Sequence, residues 1–190
     1  MQRGIMAPLI KYKYNNFYYL VFPLDEIIKF IAENNNMGMY YQNINEVNIL
    51  DCFNYYQKQN GMEGYCQICG SNNANIQTIT QIFSAPNILM IIFIRGKDMQ
   101  FNIQINFPEY LDLRQTILNC NQIYELQSVV KKLGDNSTSE HFISFCRSPI
   151  PQFNKYWFCY NDKIVLQENN WNTIHDIGDT YILFYQLKNK

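Results

Sequence analysis

The chain has 190 residues, about one domain's worth at roughly 100–200 residues per domain, so two independent enzymes are excluded. Hydrophobic residues make up 47% and aromatics 16%, with 15 Tyr, 13 Phe and 2 Trp, enough to build a core without disulfides. Fifteen Lys and Arg against sixteen Asp and Glu give a net charge of -1, which excludes the basic footprint of a nucleic-acid or anionic-membrane binder.

The N-terminal stretch carries no basic region followed by an apolar run and a small-residue cleavage site. The six cysteines are therefore expected as thiols or metal ligands in an intracellular, reducing compartment, the cytoplasm or nucleus ahead of an organelle. Acidic residues are absent before Asp25, as in a transit peptide, but Ile10, Tyr12, Tyr14 and Phe17–Leu20 alternate as a strand does, and Pro23 closes it. Ile27, Ile28 and Ile31 then repeat at helical spacing up to the loop-forming tract Asn34–Asn36. Val47, Leu50, Cys52, Phe53 and Tyr56 predict an amphipathic helix over 47–57 with Asn45 as its N-cap.

After Gly61 the pattern turns to β. Ile76–Phe83, Ile88–Ile94, Phe101–Ile105, Tyr124–Val130, His141–Cys146, Tyr156–Tyr160, Lys163–Leu166 and Tyr181–Leu187 are short aromatic and β-branched runs separated by Pro, Gly, Asn and Asp. The longest apolar run, Ile88–Ile94, falls far short of the roughly 18–20 residues of a spanning helix, so no membrane span is expected. These runs predict an α+β fold, mostly antiparallel sheet with few helices, with Ile88–Ile94, Tyr124–Val130, His141–Cys146, Tyr156–Tyr160 and Tyr181–Leu187 in one central sheet.

The order of motifs carries more than any one of them. Phe17-Tyr-Tyr-Leu-Val-Phe-Pro-Leu24, Val47-Asn-Ile-Leu-Asp-Cys-Phe53 and Tyr65-Cys-Gln-Ile-Cys69 are followed by Pro86–Arg95 and by Ile105-Asn-Phe-Pro-Glu-Tyr-Leu-Asp-Leu113. Tyr124–Val130, His141-Phe142, Trp157-Phe-Cys-Tyr-Asn-Asp162 and Tyr181-Ile-Leu-Phe-Tyr185 complete the series. Together they resemble the C-terminal fingers and palm of the ubiquitin-specific protease catalytic domain, a papain-like cysteine deubiquitinase family. The resemblance implies one truncated domain, with residues 1–85 a fingers-like region with one helix and 86–190 a palm with the histidine box.

A thiol protease needs an imidazole to move the proton and a side-chain oxygen to hold that imidazole's tautomer. His141 suits the first role and Asn161 or Asp162 the second, because the two strands that carry them are joined by the Pro149–Pro151 loop and can pair. The plainer alternative makes His141 an ordinary strand histidine and Asn161-Asp162 a hairpin turn. The expected separation of His141 from Asn161 or Asp162 is about 2.6–3.2 Å.

What the resemblance lacks bears on mechanism. The family's nucleophile stands in an Asn-x-Gly-Asn-Thr-Cys box at the mouth of a buried helix, and no such box occurs in these 190 residues. Cys52, Cys120, Cys146 and Cys159 stand elsewhere and are expected as small buried hydrophobes. Cys66 and Cys69 have a zinc knuckle's spacing, but tetrahedral zinc needs four ligands. Alignment with the family places the other pair at Gly4 and Ala7, and His175 is expected in a distant loop. The half site is therefore predicted to hold no zinc in this chain alone, and no other cofactor is implied.

Glu140 stands where the family has a glycine and Phe142 where it has a tyrosine, at the channel for the ubiquitin tail. Lys132 likewise takes the place of a histidine two residues before Gly134. These departures favour a deubiquitinase-like pseudoenzyme acting as a binding or structural module, with a protein partner over the exposed palm face and ubiquitin as a candidate ligand. The competing expectation is the C-terminal part of an active deubiquitinase whose nucleophile-bearing thumb is missing or on another chain. A Cys-x-x-Cys ribbon for nucleic acid fails on charge and on the missing second pair.

Overall fold

The structure is a computed structural model that describes residues 17–35, 44–57, 59–66, 71–84, 86–95, 103–119, 123–134 and 141–188. The described residues begin with β1 (Leu20–Pro23), α1 (Leu24–Asn34), β2 (Glu46–Asn48) and α2 (Ile49–Tyr56). Four further strands follow: β3 (Gln59–Cys66), β4 (Ser71–Ile79), β5 (Ile82–Ser84) and β6 (Ile88–Ile94). Next come three short strands, β7 (Gln104–Asn106), β8 (Tyr110–Asp112) and β9 (Ile117–Asn119), then β10 (Ile123–Leu133) and β11 (His141–Arg147). The chain closes with β12 (Trp157–Asn161), β13 (Ile164–Glu168), α3 (Trp171–Asp176) and β14 (Asp179–Leu187).

One eight-stranded sheet organises the molecule, in the order β1-β6-β14-β10-β11-β12-β13, with β8 pairing the first residues of β10. The five strands expected in a central sheet all lie in it. Pairing is antiparallel except at β1 against β6, where Leu20 meets Ile91 and Pro23 meets Ile94 in parallel. Two small parallel pairs, β2 with β7 and β5 with β9, and the β3–β4 hairpin stand outside it.

Strand alternation decides which face is buried. Leu20 and Phe22, then Leu89, Ile91 and Phe93, then Ile143 and Phe145 point to one side and are at most a few per cent exposed. The helices cover that side. Phe22 meets Phe53 of α2 edge-on with ring centroids 5.3 Å apart, and Trp171 of α3 meets Trp157 at 5.7 Å. Full burial of a side chain such as Phe22 contributes about 2–3 kcal/mol.

Several local expectations are corrected. The second helix starts at Ile49 and its N-cap is Asn48, not Asn45, because Asn48 Oδ1 accepts from the Leu50 amide at 2.9 Å while Val47 is drawn into β2 by pairing with Ile105. Among the described residues before position 85 there are two helices, α1 and α2, instead of one, and β1 joins the same sheet as β6. The run 76–83 is broken into β4 and β5, which pair with different partners. Residues 101 and 102 of the expected 101–105 strand lie outside the described residues, and the described strand is β7. His175 sits in α3 rather than in a loop, with Asn170 capping the helix through the Asn172 amide at 3.0 Å.

Candidate functional site

β11 and β12 bring the expected pair together. Their register sets Ser144 against Tyr160 and Phe145 against Cys159, which puts His141, Ile143, Cys159 and Asn161 on the helix-covered side of the sheet. His141 Nε2 lies 2.7 Å from Asn161 Oδ1, and both residues are partly buried. An amide oxygen only accepts, so Nε2 carries a proton, and in the neutral ring the Nδ1 lone pair is the basic site. That is the state a general base needs.

Asp162 is not joined to them. It occupies the exposed two-residue turn between β12 and β13 with φ of 51°, and no hydrogen bond or ion pair links it to His141 among the described residues. Its left-handed backbone, which Asp tolerates better than most residues, sets the hairpin that ends on Asn161. Phe142, the next residue after His141, projects to the opposite side of the sheet. There it pairs with Lys132 and meets Tyr181 edge-on at 5.3 Å and 89°. Phe142 and His141 thus face opposite sides of the sheet, since neighbours on a strand alternate. Glu140 lies outside the described residues.

The cysteines fall into place separately. Cys52 is buried in α2, where burial above all, then the Asp51 carboxylate, pushes its thiol far up. Cys159, two residues from Asn161, is also pushed up, chiefly by burial. Cys146 lies on the opposite side of β11 with its Sγ 3.2 Å from Ser128 Oγ. An activated nucleophile needs a depressed thiol pKa, and burial drives Cys52 and Cys159 the other way. Cys66 closes β3, while Cys69 and Cys120 lie outside the described residues. The described residues contain no cluster of three or more His, Cys, Asp or Glu suited to a metal ion.

Four cations are buried among the described residues, Arg95, Lys131, Lys132 and Arg147. Arg95 donates to the Thr180 carbonyl through Nε and Nη2 at 3.1 and 3.0 Å, to the Ile103 carbonyl at 2.9 Å, and pairs with Asp179 at 3.2 Å. Arg147 donates to the carbonyls of Leu126 and Asn154 and to Glu109 Oε1 at 2.5 Å, with its guanidinium 5.0 Å from the Trp157 ring centre. Lys131 is wholly buried and donates to the His175 carbonyl at 2.7 Å. Burial first, then the neighbouring Arg95, lowers its ammonium to about 8. Lys131 pairs with Ile143 on the buried side, but the register of β10 against β14 slips between Leu126 and Ser128 and again between Val130 and Lys131, so the strand pattern in the sequence did not single this lysine out.

Comparison with known proteins agrees with this architecture. The sequence model of the family described as ubiquitin carboxyl-terminal hydrolase matches residues 25–185. Probable ubiquitin carboxyl-terminal hydrolase 16 of Schizosaccharomyces pombe (strain 972 / ATCC 24843) is 32% identical over 114 residues, 56% of this chain and 24% of that protein. Among solved structures, a yeast SAGA DUB module with a mutant Sgf73 superposes with a TM-score of 0.66 at 21% identity, over 91% of this chain and 36% of the other. The SAGA Ubp8/Sgf11/Sus1/Sgf73 DUB module bound to ubiquitin aldehyde gives 0.61 at 21% identity, over 76% and 35%. The chain thus spans about a quarter of the curated relative's length and about a third of these solved chains.

Proposed function

Because the chain belongs to the ubiquitin carboxyl-terminal hydrolase family, we propose that its 190 residues work as a deubiquitinase-like binding and structural module of a larger assembly and do not cut ubiquitin by themselves. The carrying observation is a base set for chemistry with no activated thiol beside it among the described residues. His141 and Asn161 are 2.7 Å apart, whereas burial pushes Cys52 and Cys159 up and Cys146 faces the other way.

A partner protein is the natural cover for the side of the sheet away from the helices. Val21, Ile92, Ile182, Val130, Ser144, Tyr160 and Val165 run across seven strands in one register row without a charge. Five of these residues are half-buried, and Tyr160 and Val165 are exposed at the β12–β13 end of the row. Ubiquitin is the candidate ligand that the solved relative bound to ubiquitin aldehyde suggests. Cys52, Cys146 and Cys159 stand as free thiols, which supports a reducing, intracellular setting.

A second reading is supported by the same 2.7 Å contact. The chain would be the base-bearing part of an active cysteine deubiquitinase, with the nucleophile supplied by another segment or chain. Hydrolysis of a ubiquitin C-terminal amide decides between them. The chain alone should show no turnover above buffer, since a base without its nucleophile forfeits the covalent route. Activity that appears on adding a Cys-box thumb in trans, and that His141→Ala abolishes, would establish the second reading. Turnover by the chain alone, lost on mutating Cys52, Cys120, Cys146 or Cys159, would overturn the module.

A further inference from the structure

His141 is the first residue of β11, and the end of a strand frays unless side chains tie it down. On its own side of the sheet the imidazole meets Asn161. The tie lies on the other side, through the next residue. Phe142 pairs with Lys132 of β10, and Lys132 pairs in turn with Asp179 of β14. Phe142 thus stands a whole strand away from β14, yet its ring meets Tyr181 of β14 edge-on with centroids 5.3 Å apart.

A slip in the ladder makes that reach possible. Val130 pairs with Ile182 and Lys131 with Thr180, so Tyr181 is the extra residue of a bulge, released from pairing and re-aimed. Its ring and that of Phe142 meet across β10, where Lys132 is 3% exposed although Phe142 itself is 43% exposed. Tyr181 is held from behind. Its ring centre lies 5.5 Å from the Arg95 guanidinium, which is fastened to the Thr180 and Ile103 carbonyls and to Asp179. An edge-on aromatic pair attracts beyond the area that it buries, so the contact is a clasp between β14 and the start of β11.

We propose that Phe142 and Tyr181 are positioning residues for His141. The clasp fixes the first residues of β11 and so keeps Nε2 within 2.7 Å of Asn161 Oδ1, a bond that weakens steeply when its partners are misaligned. Both rings act through the backbone, since Phe142 points away from the imidazole. This role presupposes that His141 and Asn161 form the base set proposed above, and it names what keeps that base in place.

Exchange of the His141 Nε2 proton with water, followed by ¹⁵N NMR of the purified chain at fixed pH, reads the bond directly. Phe142→Ala should quicken it about tenfold or more, while Phe142→Tyr, which keeps an edge-on ring, should leave the rate of the unmutated chain. Tyr181→Ala should match Phe142→Ala, and the double variant should exchange no faster than either, because the first deletion already dissolves the pair. Phe153→Ala removes a similarly exposed ring beyond the far end of β11 and should change nothing. Phe142→Leu, which keeps bulk without a ring, should fall between the unmutated chain and Phe142→Ala, and it carries the test if an alanine variant fails to fold. Turnover with a thumb in trans reads the chemical role of the dyad and proton exchange reads its support, so the two fail separately. An unchanged rate in Phe142→Ala or Phe142→Leu, additive effects in the double variant, or an equal response to Phe153→Ala would each overturn the clasp.

Discussion

Nε2 of His141 donates to Oδ1 of Asn161 across 2.7 Å, and the pair is built by register, since β11 and β12 set the two residues one row apart on the same side of the sheet. One tautomer follows. In ¹⁵N spectra of the neutral imidazole the proton should sit on Nε2, and Asn161→Ala should let Nδ1–H populate while costing about 1 kcal/mol in chemical denaturation. Asp162→Asn should leave the tautomer untouched, because Asp162 serves the turn. A tautomer that responds to Asp162 and not to Asn161 would reverse these roles.

Lys131 makes stability depend on pH in a definite direction. Its ammonium is lowered to about 8 in the fold against about 10.4 for a free lysine, so between these values the unfolded chain binds more protons and stability rises with pH. Lys131→Met lacks this contribution. The stability of the unmutated chain minus that of the variant should grow by about 2 kcal/mol from pH 8 to pH 10 in urea titrations. A difference that stays flat or shrinks would show that the ammonium is not held lowered by the fold.

Two glycines with left-handed backbones should respond unequally to alanine. Gly178, at φ of 60°, would place a Cβ 2.3 Å from the Lys132 carbonyl oxygen, whereas Gly134, at φ of 84°, has open space around it. Gly134→Ala carries conformational strain alone, about 1 kcal/mol. Gly178→Ala adds a clash with backbone and should cost about 3 kcal/mol or more, read as a drop in the denaturation midpoint.

On metal, the chain purified without chelators should carry no stoichiometric zinc, since Cys66 and Cys69 supply two of the four ligands of a tetrahedral site. Elemental analysis checks this. One equivalent, lost on Cys66→Ser and Cys69→Ser, would mean that other residues of the chain complete the site.

Much of this architecture is legible in the chain. The run Ile88–Ile94 is β6 to the residue because seven apolar β-formers between Pro86-Asn87 and Arg95 have no other use, and the aromatic-rich order from Trp157 to Asn161 foretells the neighbour of His141. Local pattern fails where the decision is not local. Asn48 displaces Asn45 as a cap because Val47 pairs with Ile105, 58 positions away, and α3, at six residues, is too short to show a helical period. Strands β8 and β9 are three residues each and exist through their partners in β10 and β5.

The sequence by itself determined the β-rich composition, the order of the strands along the chain and the residue types of the dyad, because alternation and turn chemistry act between near neighbours. Tertiary structure alone decided that Asn161 and not Asp162 reaches His141, that Lys131 is sealed against the His175 carbonyl, and that β13 ends the sheet among the described residues. Each of these depends on which strands lie side by side, and pairing between distant segments is settled by the burial of a common face, a property of the assembled sheet and not of any one segment.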